Sequence, residues 1–80
     1  MDIKLKASLK VIHILSILGR RMAYEKKDYI VLANLFDDIE YLLVLLNEPT
    51  STDKFRNYLF KIEERYHYYG LCDTFDKEYS

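Results

Sequence analysis

The stretch DYIVLANLFDDIEYLLVLL, residues 28–46, carries the clearest structural signal in the chain. Its apolar residues recur every three or four positions, the spacing that gathers side chains on one face of an α-helix. Asp28 is a candidate N-cap, because a carboxylate can accept from the free first-turn amides. Pro49 ends the helix, since proline disfavours helical geometry in the residue before it. We therefore predict a helix with the following residues turned into a core: Leu32, Leu35, Phe36, Ile39, Leu42, Leu43 and Leu46.

The preceding segment, residues 2–26, has a mixed pattern. Apolar and polar residues alternate over residues 3–9, as they do in a strand. A single strand would have no partner in this sequence, so we predict one helix over residues 2–26, with Asp2 as its candidate cap. Gly19 either lowers helix propensity by about 1 kcal/mol relative to alanine or marks a bend. The helical stripe comprises Val11, Ile14, Leu15, Leu18 and Met22.

A third helix follows the polar loop at residues 50–52. Thr50 with Asp53, or Thr52 alone, can cap it, and Gly70 is a candidate helix stop. Its apolar stripe is Phe55, Tyr58, Leu59, Ile62 and Tyr66. The tail, residues 71–80, either docks as one or two helical turns or is frayed.

Short connections between three amphipathic helices predict that neighbouring helices pack antiparallel. The fold class expected is therefore all-α: a small antiparallel three-helix bundle with a short C-terminal tail or an extra helical turn. Eighty residues are too few for a second core, so residues 1–80 are expected to form a single helical domain.

Composition narrows the cellular setting and the class of partner. The net charge of −1 creates no overall attraction to nucleic acid or to anionic membrane. A single cysteine excludes an internal disulfide and is typical of a reducing compartment, so we expect a cytoplasmic protein. The apolar run at residues 11–18 is much shorter than the roughly 20 residues that span a bilayer, and no cleavage site follows it.

Charge is segregated along the chain. Residues 1–27 carry seven basic and two acidic groups, whereas residues 28–53 carry six acidic groups and no basic one. Residues 54–80 carry five of each. One interpretation is that the basic first helix pairs with the acidic second helix, each surface pair contributing about 0–1 kcal/mol. The other is that the second helix displays its carboxylates to a partner.

The candidate partner-binding residues form two groups. Asn34, Asp37, Asp38 and Tyr41 have the spacing of one helical stripe, with Glu48 at its margin. Carboxylates can steer the encounter with a basic protein, and tyrosine supplies rigid contact area. The second group is Tyr66, Tyr68 and Tyr69 before Gly70. These tyrosines are either further contact residues or the rim of the core.

No motif predicts an enzyme, a cofactor or a metal site. The spacing of His67, Cys72 and Asp73 matches no zinc pattern, and Cys72 with His67 is a weak candidate for a nucleophile and base. An acidic, leucine-rich second helix also disfavours a helix-turn-helix DNA reader. We therefore expect a non-enzymatic protein without a cofactor, and the charge distribution disfavours nucleic acid as a partner.

The acidic second helix and the adjacent pair Tyr68 and Tyr69 are similar to features of small helical inhibitor proteins, such as nuclease-toxin immunity proteins. That resemblance implies a module that docks on, or inhibits, a basic protein partner. Two alternatives stay open. One is a homodimeric structural domain, suggested by the wide apolar girdle at residues 11–18, and the other is a weak nucleic-acid-binding regulator.

Overall fold

A computed structural model describes residues 3–49 and 51–79, and every regular element in that part of the chain is helical. The elements are α1 (Ile3–Arg21), a π-helical extension (Met22–Lys26), α2 (Tyr29–Asn47), α3 (Thr52–Tyr66), a 3-10 turn (His67–Tyr69) and α4 (Leu71–Tyr79). The all-α prediction is confirmed. The count of three helices is corrected to four within the described residues, because the tail forms a nine-residue helix of its own.

The helical alternative holds for the start of α1. Residues 3–9 continue without a break into the amphipathic stretch that follows, and Gly19 lies buried inside the same helix. The chain leaves the π-helical extension through Lys27, which adopts a left-handed conformation with φ of 51°. The proposed cap at Asp2 lies outside the described residues.

Helix caps explain where α2 and α3 begin. Asp28 caps α2 as predicted, its Oδ1 accepting from the Val31 amide at 3.1 Å. Ser51 caps α3 through a hydrogen bond from the Lys54 amide at 3.2 Å. The cap predicted at Thr52 is wrong, because Thr52 is the first residue of the helix, and Thr50 lies outside the described residues. Gly70, with φ of 87°, ends the 3-10 turn and separates it from α4.

The first three helices run alternately up, down and up. Gly19, near the end of α1, faces Leu32, near the start of α2. Ala7, near the start of α1, packs against the cluster that contains Leu42 and Leu45 of late α2, so these two helices are antiparallel. Later α2 residues meet earlier α3 residues, since Asp38 contacts Arg65 and Tyr41 contacts Tyr58. The antiparallel arrangement predicted from short connections therefore describes α1, α2 and α3.

Two clusters of buried side chains form the core. The larger one joins α1 to all three other helices and contains Ile14, Leu15, Leu18, Met22, Val31, Leu35, Ile62, Tyr66 and Leu71. The smaller one contains Leu42, Leu45 and Phe55. Val11 and Tyr58 pack against both clusters, so the core is continuous. The stripes predicted for α1 and α3 are confirmed, since their members are buried or half-buried.

The inward face predicted for α2 is partly wrong. Phe36 and Leu43 are exposed, whereas Val31 and Leu45, which lay off the predicted stripe, are buried. The buried residues Val31, Leu35, Asp38, Leu42 and Leu45 follow alternating steps of four and three. The helix is therefore rotated relative to the prediction, toward the side that carries Asp38.

α4 docks against the flank of α1. Leu71 and Thr74 are buried, and the Tyr79 hydroxyl lies 2.7 Å from the His13 Nδ1. Lys10 places its Nζ 5.1 Å from the centre of the Tyr79 ring, within the range of a cation–π interaction. These contacts order the tail, which the sequence left as either docked or frayed.

We expect Gly19→Ala to raise the free energy of unfolding by about 0.5–1 kcal/mol, because alanine has the higher helix propensity. A Cβ at this position would lie 3.5 Å from the Leu32 Cδ1, which is ordinary van der Waals contact. Urea denaturation measures the change, and Ala33→Gly at an exposed position of α2 should lower stability by about 1 kcal/mol. A loss of stability in Gly19→Ala would mean that α1 and α2 need the missing Cβ to approach each other.

Candidate functional site

The Asp38 carboxylate lies inside the protein, on the side of α2 that faces α3. Only 5% of the residue is exposed. Arg65 Nη1 donates to both carboxylate oxygens, at 2.6 and 2.7 Å. The Tyr58 hydroxyl donates to Oδ1 at 2.9 Å, and the Tyr66 hydroxyl donates to Oδ2. The buried charge is therefore balanced by one cation and held by three donor groups.

The local environment changes the acidity of the Tyr58 and Tyr66 hydroxyls. Burial, reinforced by the hydrogen bond to Asp38, raises the pKa of both Tyr58 and Tyr66 above the ordinary tyrosine value. The same carboxylate raises the pKa of Arg65, which remains the charged partner. Because the Arg65 side chain is 48% exposed, water screens one half of this ion pair.

Asp38 and Tyr66 do not belong to a displayed binding surface, which corrects their assignment from the sequence. Tyr66 is 1% exposed, and the hydrogen-bonding capacity of the Asp38 carboxylate is directed into the protein. Sequence reasoning missed Tyr58 and Arg65 as the groups that bind Asp38. The available signal was the position of Asp38 between the buried Leu35 and Leu42, at helical steps of three and four.

The remaining stripe on α2 faces away from the core. Its members, spaced by alternating steps of four and three, are Ile30, Asn34, Asp37, Tyr41 and Val44, and all are exposed. A neighbouring row on the same helix contains the exposed residues Phe36, Glu40 and Leu43. We call these two rows the α2 outer face. Of the predicted binding residues, the structure brings Asn34, Asp37 and Tyr41 together here.

The apolar content of this face was only partly foreseen. Ile30 is 77% exposed and Phe36 is 61% exposed. Sequence analysis placed Phe36 in the core and did not include Ile30 in the binding stripe. Once Asp38 fixes the rotation of α2, both side chains lie on the outside, among the carboxylates.

The Tyr41 ring packs against another aromatic ring. It meets the Tyr58 ring edge to face, with ring centres 4.7 Å apart. Tyr58 in turn donates to the Asp38 carboxylate. These contacts restrict the Tyr41 side chain in the free protein, and a restricted side chain loses less entropy when it becomes part of an interface.

The carboxylates of Asp37 and Glu40 are exposed and form no ion pair with another described residue. The interpretation in which basic α1 neutralises acidic α2 therefore has no direct contact to support it at these two positions. The ion pair between Asp38 and Arg65 joins α2 to α3.

The other predicted binding residues lie apart from Asn34, Asp37 and Tyr41. Tyr68 is 90% exposed and meets the half-buried Tyr69 edge to face, with ring centres 5.5 Å apart. This pair belongs to the turn after α3, at the end of the bundle where α2 begins. Glu48 is the residue that follows α2, at the opposite end of that helix.

The structure does not favour Cys72 as a nucleophile or as a metal ligand. Its thiol lies 3.7 Å from the Glu63 carboxylate, and burial, together with Glu63, raises the pKa of the thiol. A raised pKa disfavours the reactive thiolate. No group of three or more histidine, cysteine or acidic side chains in residues 3–49 and 51–79 is arranged to hold a metal ion. None of the helices described there has the length and apolarity needed to cross a bilayer.

Comparison with known proteins adds no assignment: no family model matches the chain, and neither the curated proteins nor the solved structures gave a match. The resemblance to immunity proteins therefore rests on the acidic helix and the tyrosine pair alone.

We expect Asp38→Ala to destabilise the protein by about 2–4 kcal/mol, because it leaves a buried tyrosine hydroxyl and a guanidinium without their acceptor. Asp37→Ala is the matched control. It removes the same group from the neighbouring exposed position and should change stability by less than about 0.5 kcal/mol. Equal effects in urea denaturation would show that the internal carboxylate does not stabilise the fold.

We also expect stability to fall as the pH rises above about 10, where an unfolded tyrosine releases its proton. Tyr58 and Tyr66 hold their protons to higher pH when folded, so their contribution is complete below pH 10 and is lost above it. NMR of ring-labelled tyrosine, in native protein and in urea, measures both titrations. Identical midpoints for the Tyr66 ring in the two states would contradict this expectation, and Tyr66→Phe identifies its signal.

Proposed function

We propose that this protein is a non-enzymatic binding module that docks on a basic protein partner through the α2 outer face. The observation that carries the proposal is the pair of exposed, unpaired carboxylates, Asp37 and Glu40, set among exposed apolar side chains on a continuous helix. Acidic groups accelerate encounter with a basic surface, and apolar anchors supply most of the affinity once the surfaces meet.

The dimensions of the face suit a protein partner. From Ile30 to Val44 the helix rises about 21 Å, at 1.5 Å per residue. A standard interface buries about 800 Å² on each partner. Phe36, Ile30 and Tyr41 provide the large apolar surfaces from which such an interface is built, and the carboxylates lie between them.

A second copy of the chain is a weaker candidate for this face. Residues 28–53 contain no basic residue, so two α2 outer faces placed together would oppose like charges. The apolar girdle of α1, which suggested a homodimer, is buried or half-buried within the chain itself. Nucleic acid is disfavoured for the same electrostatic reason, because phosphates would meet carboxylates.

Inhibition is the form of binding that the resemblance to immunity proteins suggests. A rigid acidic helix can cover a basic substrate-binding surface on an enzyme and exclude its substrate. The proposal extends to that role, and to a cytoplasmic setting, on the resemblance and on cysteine content alone.

Site-specific photo-crosslinking in the native cells tests the proposal. A photoreactive phenylalanine analogue at Tyr41 should capture one basic protein, whereas the same analogue at Tyr24, an exposed residue of the π-helical extension, should not. The double variant Asp37→Lys/Glu40→Lys should lower the affinity for the captured, purified protein at least tenfold, through slower association.

Glu64→Lys/Asp73→Lys is the matched control, since it makes the same change in net charge at exposed positions of α3 and α4. Its affinity should stay within about twofold of the unmodified protein if the location of the charge matters. Capture of an acidic protein, or equal losses in the two double variants, would refute docking through the α2 outer face.

A further inference from the structure

A largely apolar groove runs along the opposite side of the bundle, between α1 and α3, with α4 lying over one part of it. Its volume is about 610 Å³, within the range of about 300–1,000 Å³ that small-molecule sites occupy. Apolar side chains from all three helices line it, including Ala7, Val11, Phe60 and Phe75. Phe60 is exposed, which leaves apolar surface accessible in the part of the groove beyond α4.

Five charged residues line the groove: Lys6, Lys10, Arg56, Glu63 and Asp76. Lys6 and Arg56 lie toward the N-terminal ends of α1 and α3, and both are exposed without an ion pair to another described residue. Glu63 lies about 10 Å further along α3, at seven residues of 1.5 Å each, and accepts from the Cys72 thiol of α4. The groove therefore has a cationic end away from α4, two acidic groups (Glu63 and Asp76) in the part that α4 covers, and an otherwise apolar lining.

We propose that this groove binds a single-chain amphiphile with an anionic head, a free alkyl carboxylate. Lys6 and Arg56 hold the head group, and the alkyl chain lies along Ala7 and Phe60 toward Phe75, beneath α4. The site is separate from the α2 outer face and uses neither of its carboxylates.

Two features favour this occupant over a partner helix. The unpaired cations lie at one end of the groove, as one head group requires, whereas a bound acidic helix is best served by cations along its whole length. Lys10, midway along α1, is already engaged with the Tyr79 ring. Lys6 and Ile14 both line the groove, and α1 rises about 12 Å between them. That length suits a medium alkyl chain.

Isothermal titration calorimetry of the purified full chain with dodecanoate, below its micelle-forming concentration, tests the proposal. Dodecanoate should bind with one site per chain, and dodecyltrimethylammonium should bind at least tenfold more weakly, because its head group meets two cations. Lys6→Glu/Arg56→Glu should weaken dodecanoate binding about tenfold or more. Lys54→Glu/Lys61→Glu, an equal charge change away from the groove, should alter it by less than about twofold.

Ala7→Trp gives an independent measurement, because it fills the groove and adds the chain's single tryptophan. Its binding of dodecanoate should be lost while its helical circular dichroism is retained. Equal binding of the cationic amphiphile, or unchanged binding in Lys6→Glu/Arg56→Glu, would overturn the proposal. The proposal would also be overturned if the chain does not bind dodecanoate and sediments as a dimer that Phe60→Glu dissociates. A second copy of the chain would then cover the groove. Because no protein partner enters these measurements, they stand or fall apart from the function proposed for α2.

Discussion

The buried Asp38 carboxylate sets the orientation of α2, and the rest of the surface follows from it. An ionised carboxylate placed away from water is costly unless its charge is paired and its oxygens are hydrogen-bonded. α3 supplies both requirements, through Arg65 and the hydroxyls of Tyr58 and Tyr66. The buried group can be satisfied only when one side of α2 faces one side of α3, so it specifies how the two helices meet.

That orientation decides which apolar residues are left outside. α2 carries more apolar side chains than one buried face can hold, and a rotation that suits Asp38 brings Val31 and Leu45 inward. Phe36 and Ile30 are exposed as a result. The acidic residues beside them keep this face hydrated in the free protein, and the same arrangement provides the apolar anchors and steering charges that we assign to partner binding.

Hydrophobic spacing was sufficient to predict where the first three helices lie, because apolar residues recur at helical intervals in each and most caps and stops are local. It was insufficient for the rotation of α2, since a helix with apolar residues on most of its circumference has no unique inward face. The correct face includes a carboxylate, and its partners at Tyr58 and Arg65 are 20 and 27 residues distant in sequence. Pattern analysis treats an aspartate as exposed, so Asp38 was placed in the binding stripe together with Asp37.

Acidic and basic residues that are separate in the sequence also lie on different sides of the folded bundle. The side chains that join α1 to α2 in the two core clusters are apolar, and Lys6, Asp37 and Glu40 are exposed. Among the described residues, Asp37 and Glu40 form no ion pair on one side of the bundle, and Lys6 and Arg56 form none on another. Near-zero net charge therefore coexists with two local fields of opposite sign, and each lies beside exposed apolar surface. A chain in which α1 and α2 neutralised each other would present neither combination, which is why the positions of these charges, rather than their sum, determine what the protein can bind.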